Sequence, residues 1–208
     1  MKKLLIIGCK GNMGQRYAEI ARSMGCEVDG IDIGEALGFR ISPGAAIVAT
    51  PTPAHFDWCM QLEKLGIPYL CEKPIAMENI GRLYLLKHGY CVNNWSHVFE
   101  DKYLEPKSVK EVHYDCSHTG PHGRAWDCIQ LYHLAKTMPQ LKTESKDLVC
   151  TLDGRTVTRE HIAESYRRML HSFINLQTSR LWSIHSTIGT HRLVKFILGG
   201  KQNGHSKD

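Results

Sequence analysis

Gly8-Cys9-Lys10-Gly11-Asn12-Met13-Gly14 places three glycines at even spacing directly after the apolar run Leu4-Leu5-Ile6-Ile7. Glycines in such a turn serve three ends: a tight reversal, close approach of the backbone to a pyrophosphate, and close packing of the next helix on the strand. A helix starting there aims its free N–H groups and its dipole at the anion. Gly8, Lys10, Gly11, Asn12, Met13 and Gly14 are therefore the candidate phosphate cradle. The pattern is GxxGxxG rather than GxGxxG, with Lys10 where the second glycine usually stands. Asp32 follows Gly14 by eighteen residues, at the end of a second apolar stretch. A carboxylate there can accept both ribose hydroxyls of NAD and would repel the 2′-phosphate of NADP. NAD is the expected cofactor and NADP the alternative. Asp29 and Glu35 compete for the ribose role, although Asp29 falls inside the expected strand.

Lys73 is the residue best suited to move a proton. It stands just after the apolar segment Pro68-Tyr69-Leu70-Cys71, in Glu72-Lys73-Pro74. In an open α/β sheet that is the carboxyl edge, where ligands bind. A partly desolvated lysine can have a lowered pKa and donate a proton to a developing alkoxide. Pro74 stiffens the turn, and Glu72 either reaches the cofactor ribose or stays solvated. The competing reading, an ordinary surface lysine after a strand, is the commoner one for any single Lys.

The elements that must hold these residues alternate. Strands are expected at 4–7, 27–33, 45–49, 68–71 and 89–93, and helices at 13–24, 55–65 and 79–87. Such alternation implies βαβ units and a parallel, doubly wound Rossmann-type sheet over residues 1–95. The pattern then changes to a small α+β domain over 96–200: a strand at 108–117, a helix at 125–136, a hairpin turning at Asp153-Gly154, and helices at 159–177 and 188–198. Residues 201–208 are polar and read as a flexible tail.

Composition narrows the function classes. The chain has 208 residues, 42% hydrophobic and 23% charged, with a formal net charge of +5. The positive surplus is not concentrated in any stretch, so a nucleic-acid partner is not expected. The opening apolar run ends after four residues at Gly8, too short for a secretory core or a membrane span. Eight cysteines occur without CxxC pairing, which argues against a zinc or thioredoxin-like site and for reduced thiols in a cytoplasmic protein. The histidines at 113, 118, 122 and 133 match no compact metal pattern, and no metal is expected. Around Gly120-Pro121-His122-Gly123-Arg124 they suit either a polar loop or a pocket for hydroxyls and carboxylates, with Arg124 able to clamp an anion. Asn94, after the fifth strand, and His118 are further candidate substrate contacts. Ser96-His97 and Cys116-Ser117-His118 have no orienting partner, so nucleophilic catalysis is not expected.

Ala49-Thr50-Pro51-Thr52-Pro53-Ala54-His55 and Leu65-Gly66-Ile67-Pro68-Tyr69-Leu70-Cys71-Glu72-Lys73-Pro74-Ile75-Ala76, in this order behind the glycine turn, resemble the glucose–fructose oxidoreductase / inositol dehydrogenase (Gfo/Idh/MocA) family. The resemblance covers residues 1 to about 95. It implies a nicotinamide-dependent dehydrogenase or reductase in which Lys73 is catalytic or orients substrate. Thr50, Pro51, Thr52, His55 and Glu72 would help hold the cofactor. A sugar, cyclitol or sugar acid is the implied substrate class, and a homodimer is the implied assembly. An imine or conjugated-bond reductase and a non-catalytic dinucleotide-binding sensor or scaffold are the other readings. The second half departs from the family. The space after residue 95 is too short for the usual large sheet domain, and the family's Asp-x-x-x-His would put His at 131, where Leu stands after Asp127. Asp127 and His122 are the nearest candidates for a second acid/base.

Overall fold

The computed structural model describes residues 2–32, 34–35, 43–98, 112–115, 121–135, 139–142 and 149–199. The chain divides into two compact units, one of residues 1–92 with 169–191 and the other of 93–168 with 192–208. One boundary between the units falls at 92/93, and residues 169–191 belong to the first unit.

The first unit is built on a sheet of six strands: β1 (Lys3–Ile7), β2 (Glu27–Ile31), β3 (Ala45–Val48), β4 (Tyr69–Cys71), β5 (Gly89–Cys91) and β10 (Trp182–Ser183). Their order is β10-β5-β4-β3-β1-β2. All neighbouring pairs run parallel except β10 with β5. Leu4–Ile7, Ala46–Val48 and Tyr69–Cys71 are almost wholly excluded from solvent. Strands covered on both faces become continuous apolar runs, which is why these three were legible without alternation. Helix α1 (Asn12–Ser23) buries Tyr17, Ala18 and Ala21, and α2 (Thr52–Lys64) buries Phe56, Cys59 and Leu62.

Two expectations need correction here. The 79–87 segment is no α-helix: it forms a 3-10 helix at Ile80–Leu85, entered through Asn79 in a left-handed conformation (φ 49°). Ile80, Leu83 and Leu86 are the buried residues of this segment, a repeated spacing of three that matches the period of the tighter helix. The two-residue strand β10 was not expected, since so short an edge strand carries no periodicity.

The second unit holds a four-stranded sheet of order β7-β6-β8-β9, from β6 (Val112–Asp115), β7 (Gln140–Lys142), β8 (Val149–Leu152) and β9 (Arg155–Val157). The β8–β9 hairpin turns at Asp153 (φ 49°) and Gly154 (φ 75°), the two positive dihedrals an Asp-Gly reversal supplies. Helices α3 (Asn94–Val98) and α4 (Pro121–Ala135) belong to this unit. Its core gathers Trp95, Val98, Val112, Tyr114, Leu131, Cys150, Leu152 and Val157. Helix α4 starts four residues earlier than expected, with Pro121 in its first turn, where a missing N–H costs nothing. Helix α5 (Arg159–Ile174) lies within its expected span, and α6 (Ile184–Gly199) starts four residues before the expected 188.

Candidate functional site

β1 lies between β2 and β3, so the connection through α1 leads to one side of β1 and the rest of the sheet lies on the other. That reversal is where an open α/β sheet forms a crevice outside its carboxyl ends. The glycine turn and the Thr50-Pro51 segment meet there. Gly8 has φ +88°, and a Cβ on it would fall 2.7 Å from the Ala49 carbonyl oxygen and 2.8 Å from the Thr50 nitrogen. A Cβ on Gly14 would stand 2.1 Å from the Gly8 carbonyl oxygen. Protein packing alone therefore demands both outer glycines. Gly11 is different: its φ is −74°, and a Cβ would meet its nearest atom only at 3.4 Å. Gly11 is also exposed, as are Lys10 and Asn12. A glycine unnecessary to the fold, on the outer side of the turn, suits backbone approach by a ligand.

Gly11 caps α1 and Pro51 caps α2, and neither helix start receives a side-chain hydrogen bond. Their first N–H groups, from Asn12, Met13 and Gly14 and from Thr52, have no intrahelical acceptor and face a negative charge favourably. Beside them Thr50 is 6% exposed, and no described residue bonds its Oγ1. A buried hydroxyl without a partner is uncommon and signals an absent group. The cradle, the two open helix starts and this hydroxyl fit a dinucleotide.

Asp32, the candidate ribose acceptor, stands just past β2. Asp32 Oδ2 accepts the Lys10 backbone N–H at 3.0 Å. Glu35 accepts the Asp32 N–H at 3.1 Å and holds the Lys10 ammonium at 3.1 Å. Glu35, a competitor of Asp32 in sequence, is thus the counter-ion of Lys10, and that hydrogen bond is the first cause lowering its pKa. Asp29 lies within β2, where its Oδ1 accepts the Gly30 N–H.

The Glu72-Lys73-Pro74 segment leaves β4 and is tied down at each residue. Glu72 is buried, not solvated: its Oε1 accepts the Tyr17 hydroxyl at 2.7 Å and its Oε2 the Lys73 N–H at 3.1 Å. The Lys73–Pro74 peptide is cis. His55 is 1% exposed, with Nδ1 2.8 Å from the Pro74 carbonyl and Nε2 2.6 Å from the Thr50 carbonyl. Both ring nitrogens are engaged inside the protein, so His55 joins α2 to the lysine loop. Burial holds its pKa below the usual value, against the two carbonyls and Glu72. Lys73 itself is half-buried.

Sequence reasoning missed two residues of this loop. Tyr17 was recognisable only as one member of the buried face of α1. His191, on α6, accepts the Ile75 N–H at Nε2 (3.0 Å) and donates from Nδ1 to the Thr187 carbonyl (2.8 Å). That pair of partners assigns a neutral Nδ1–H tautomer, and burial lowers its pKa from 6.5 to about 4. The unfolded chain takes up this proton below 6.5, whereas the folded chain refuses it until about 4. The first unit will accordingly lose stability as pH falls from 6.5 to about 4. His191→Gln, which keeps an acceptor for Ile75 but does not titrate, will show a shallower fall of melting temperature over that window; equal slopes would refute the assignment.

The other candidates lie in the second unit. Asp127 is 6% exposed and its Oδ2 accepts the Tyr114 hydroxyl at 2.9 Å. Burial first, and Asp127 next, push the neighbouring Cys150 thiol up to about 12. Asp127 is thus a carboxylate buried among core groups, which does not suit an acid/base open to substrate. Arg124 is half-buried on α4, and Asn94 is 3% exposed at the start of α3. The backbone of His122 lies in α4, while its side chain and all of His118 fall outside the described residues. Among the described residues no group of His, Cys, Asp and Glu could hold a metal, and no helix is long and apolar enough to cross a membrane.

Comparison with known proteins agrees with this architecture. Residues 35–86 match the Gfo/Idh/MocA family, described as an oxidoreductase family with an NAD-binding Rossmann fold. That span contains Thr50, His55 and Glu72-Lys73-Pro74 and leaves out the glycine turn. No curated protein sequence matches the chain. Among solved structures, a Gfo/Idh/MocA family oxidoreductase from Vibrio cholerae aligns over 100% of this chain and 100% of its own, at TM-score 0.73 and 12% identity. A myo-inositol dehydrogenase from Corynebacterium glutamicum aligns over 98% and 97%, at 0.67 and 12%. The WlbA (WbpB) dehydrogenase from Thermus thermophilus, solved with NAD and UDP-GlcNAcA, aligns over 95% and 94%, at 0.61 and 15%. At these identities the likeness is one of fold.

Proposed function

We propose, for a chain that matches the Gfo/Idh/MocA oxidoreductases over residues 35–86 and shares their fold, that it is an NAD-dependent dehydrogenase or reductase. Its substrate would be a small polar molecule with a hydroxyl or carbonyl carbon, of the sugar, cyclitol or sugar-acid class. NADP is the alternative cofactor, the cytoplasm the expected compartment, and a pair of identical chains the expected assembly. The observation that carries the reading is the buried Thr50 hydroxyl, which no described residue bonds, beside two helix starts without a side-chain cap at the sheet's reversal.

Gly11, Asn12, Met13 and Gly14 would hold the pyrophosphate through their N–H groups. Asp32 would accept the ribose hydroxyls, with Lys10 and Glu35 neutralising one another beside it. Thr50, Pro51 and Thr52 line the nicotinamide end. Bound nicotinamide supplies the hydride chemistry. Lys73 supplies the proton: neutral, it takes the substrate hydroxyl proton as the C–H pair departs; protonated, it returns it to the alkoxide. Arg124 and Asn94, in α4 and α3 of the second unit, are the described candidates for binding hydroxyls or a carboxylate.

Two measurements test this. Thr50→Val keeps the shape of the side chain and removes a buried hydroxyl that no described residue satisfies. It should melt at the wild-type temperature or slightly above, yet bind NADH about 3- to 10-fold more weakly, the usual worth of one hydrogen bond. Unchanged affinity would remove Thr50 from the site. The wild-type chain assayed with NAD and NADP over a panel of polyols, sugars and sugar acids should reduce the dinucleotide. Binding without turnover on that panel, or on imines, would identify a dinucleotide sensor instead.

A further inference from the structure

Glu72 presents a problem that its neighbours solve. A carboxylate 9% exposed at the end of a central strand is costly unless its oxygens find donors. It has one on each oxygen, the Tyr17 hydroxyl at 2.7 Å and the Lys73 N–H at 3.1 Å. Tyr17 is fully buried on α1, one helical turn beyond Gly14. Gly14 in turn packs so near Gly8 that a Cβ on it would fall 2.1 Å from the Gly8 carbonyl oxygen, which sets α1 directly against the glycine turn. A continuous line of contacts therefore runs from the turn through α1 and Tyr17 to Glu72 and the backbone of Lys73. A phenylalanine would fill the same core volume. The hydroxyl adds to that packing a hydrogen bond to the carboxylate.

We propose that Tyr17 is a positioning residue for Lys73: by fixing Glu72 it holds the lysine's backbone in register with the dinucleotide-binding turn. This rests on the reading of Lys73 as the proton carrier. Tyr17 meets Glu72 rather than the outer side of the turn, so its effect falls on the lysine and leaves dinucleotide affinity alone. Tyr17→Phe loses one charge-assisted hydrogen bond at Glu72, worth about a factor of ten or more.

The test compares wild-type chain and Tyr17→Phe. NADH affinity, followed by nucleotide fluorescence, should change less than about twofold, while kcat on the best panel substrate falls about tenfold with KM little altered. Amide hydrogen exchange should accelerate at Lys73 and its immediate neighbours, with β1, β3 and β4 as protected as before. An unchanged kcat with unchanged exchange at Lys73 overturns the proposal. So does acceleration spread across the strands, which marks a side chain that only stabilises the core. Should the wild-type chain turn over nothing, the functional reading fails, and the exchange at Lys73 still decides the role of Tyr17. If Tyr17→Phe does not fold, Tyr17→Met takes its place. It fills much of the same core volume with an adaptable apolar chain and likewise offers Glu72 no donor, so faster exchange at Lys73 is again expected and its absence overturns the assignment.

Discussion

Lys73→Ala should bind NADH as the wild-type chain does and turn over about 10²- to 10⁴-fold more slowly, the range a positioned acid or base contributes. The two readouts separate because the cradle and the lysine come from different strands: the first follows β1, the second β4. Glu72 and Pro74 carry bonds that anchor the loop to α1 and α2. Lys73→Arg sharpens the result. A guanidinium stays protonated at any working pH and cannot take a proton from a hydroxyl. Loss of alcohol oxidation in both variants is expected if Lys73 moves the proton. Recovery in Lys73→Arg would make its role one of charge alone, and near-wild-type turnover in Lys73→Ala would dismiss it from the chemistry.

The glycine turn yields the second large effect, and its three members should not behave alike. Gly14→Ala drives a Cβ to 2.1 Å from the Gly8 carbonyl oxygen and 2.9 Å from the Cys9 Cα, both backbone atoms with nowhere to go. Helix α1 must lift, and with it the buried Tyr17, Ala18 and Ala21. Destabilisation of about 3 kcal/mol or more is expected, at the upper end for overpacking. Gly11→Ala should melt within a degree or two of wild type, because its φ of −74° suits any residue and the nearest atom stands 3.4 Å away. Its NADH affinity should nonetheless fall at least tenfold, since the new methyl occupies the ligand side of the turn. Thermal melts and NADH titrations of the pair decide the matter. Wild-type affinity in Gly11→Ala would show that no pyrophosphate lies on this turn.

How much of this was legible beforehand varies by physical cause. The buried strands β1, β3 and β4 announce themselves as unbroken apolar runs, and the Asp153-Gly154 reversal by the positive dihedrals only such residues adopt readily. Glycine spacing and the Glu72-Lys73-Pro74 segment marked the cofactor and lysine regions because their chemistry is local to a few consecutive residues. The 3-10 helix at Ile80–Leu85 was misjudged as an α-helix, since apolar residues three apart occur in both. Glu35 competed with Asp32 on the page of letters; the Lys10 ammonium, drawn 3.1 Å from it, made it a counter-ion. Asp127 was a candidate acid by position and became, with Tyr114 on its Oδ2, a buried core carboxylate.

Type and spacing alone marked Gly8 to Gly14 and Asp32 as candidates for dinucleotide contact and Lys73 as a candidate proton carrier, because strand, turn and helix each impose a short-range period on the chain; Thr50 entered through the family resemblance. What the tertiary structure decided is the support beneath them. Tyr17, His55 and His191 come from three helices far apart in sequence, yet converge on four consecutive residues, Glu72 to Ile75. No local pattern encodes that convergence. It arises because a parallel sheet brings the carboxyl ends of distant strands, and the helices packed on them, to one edge.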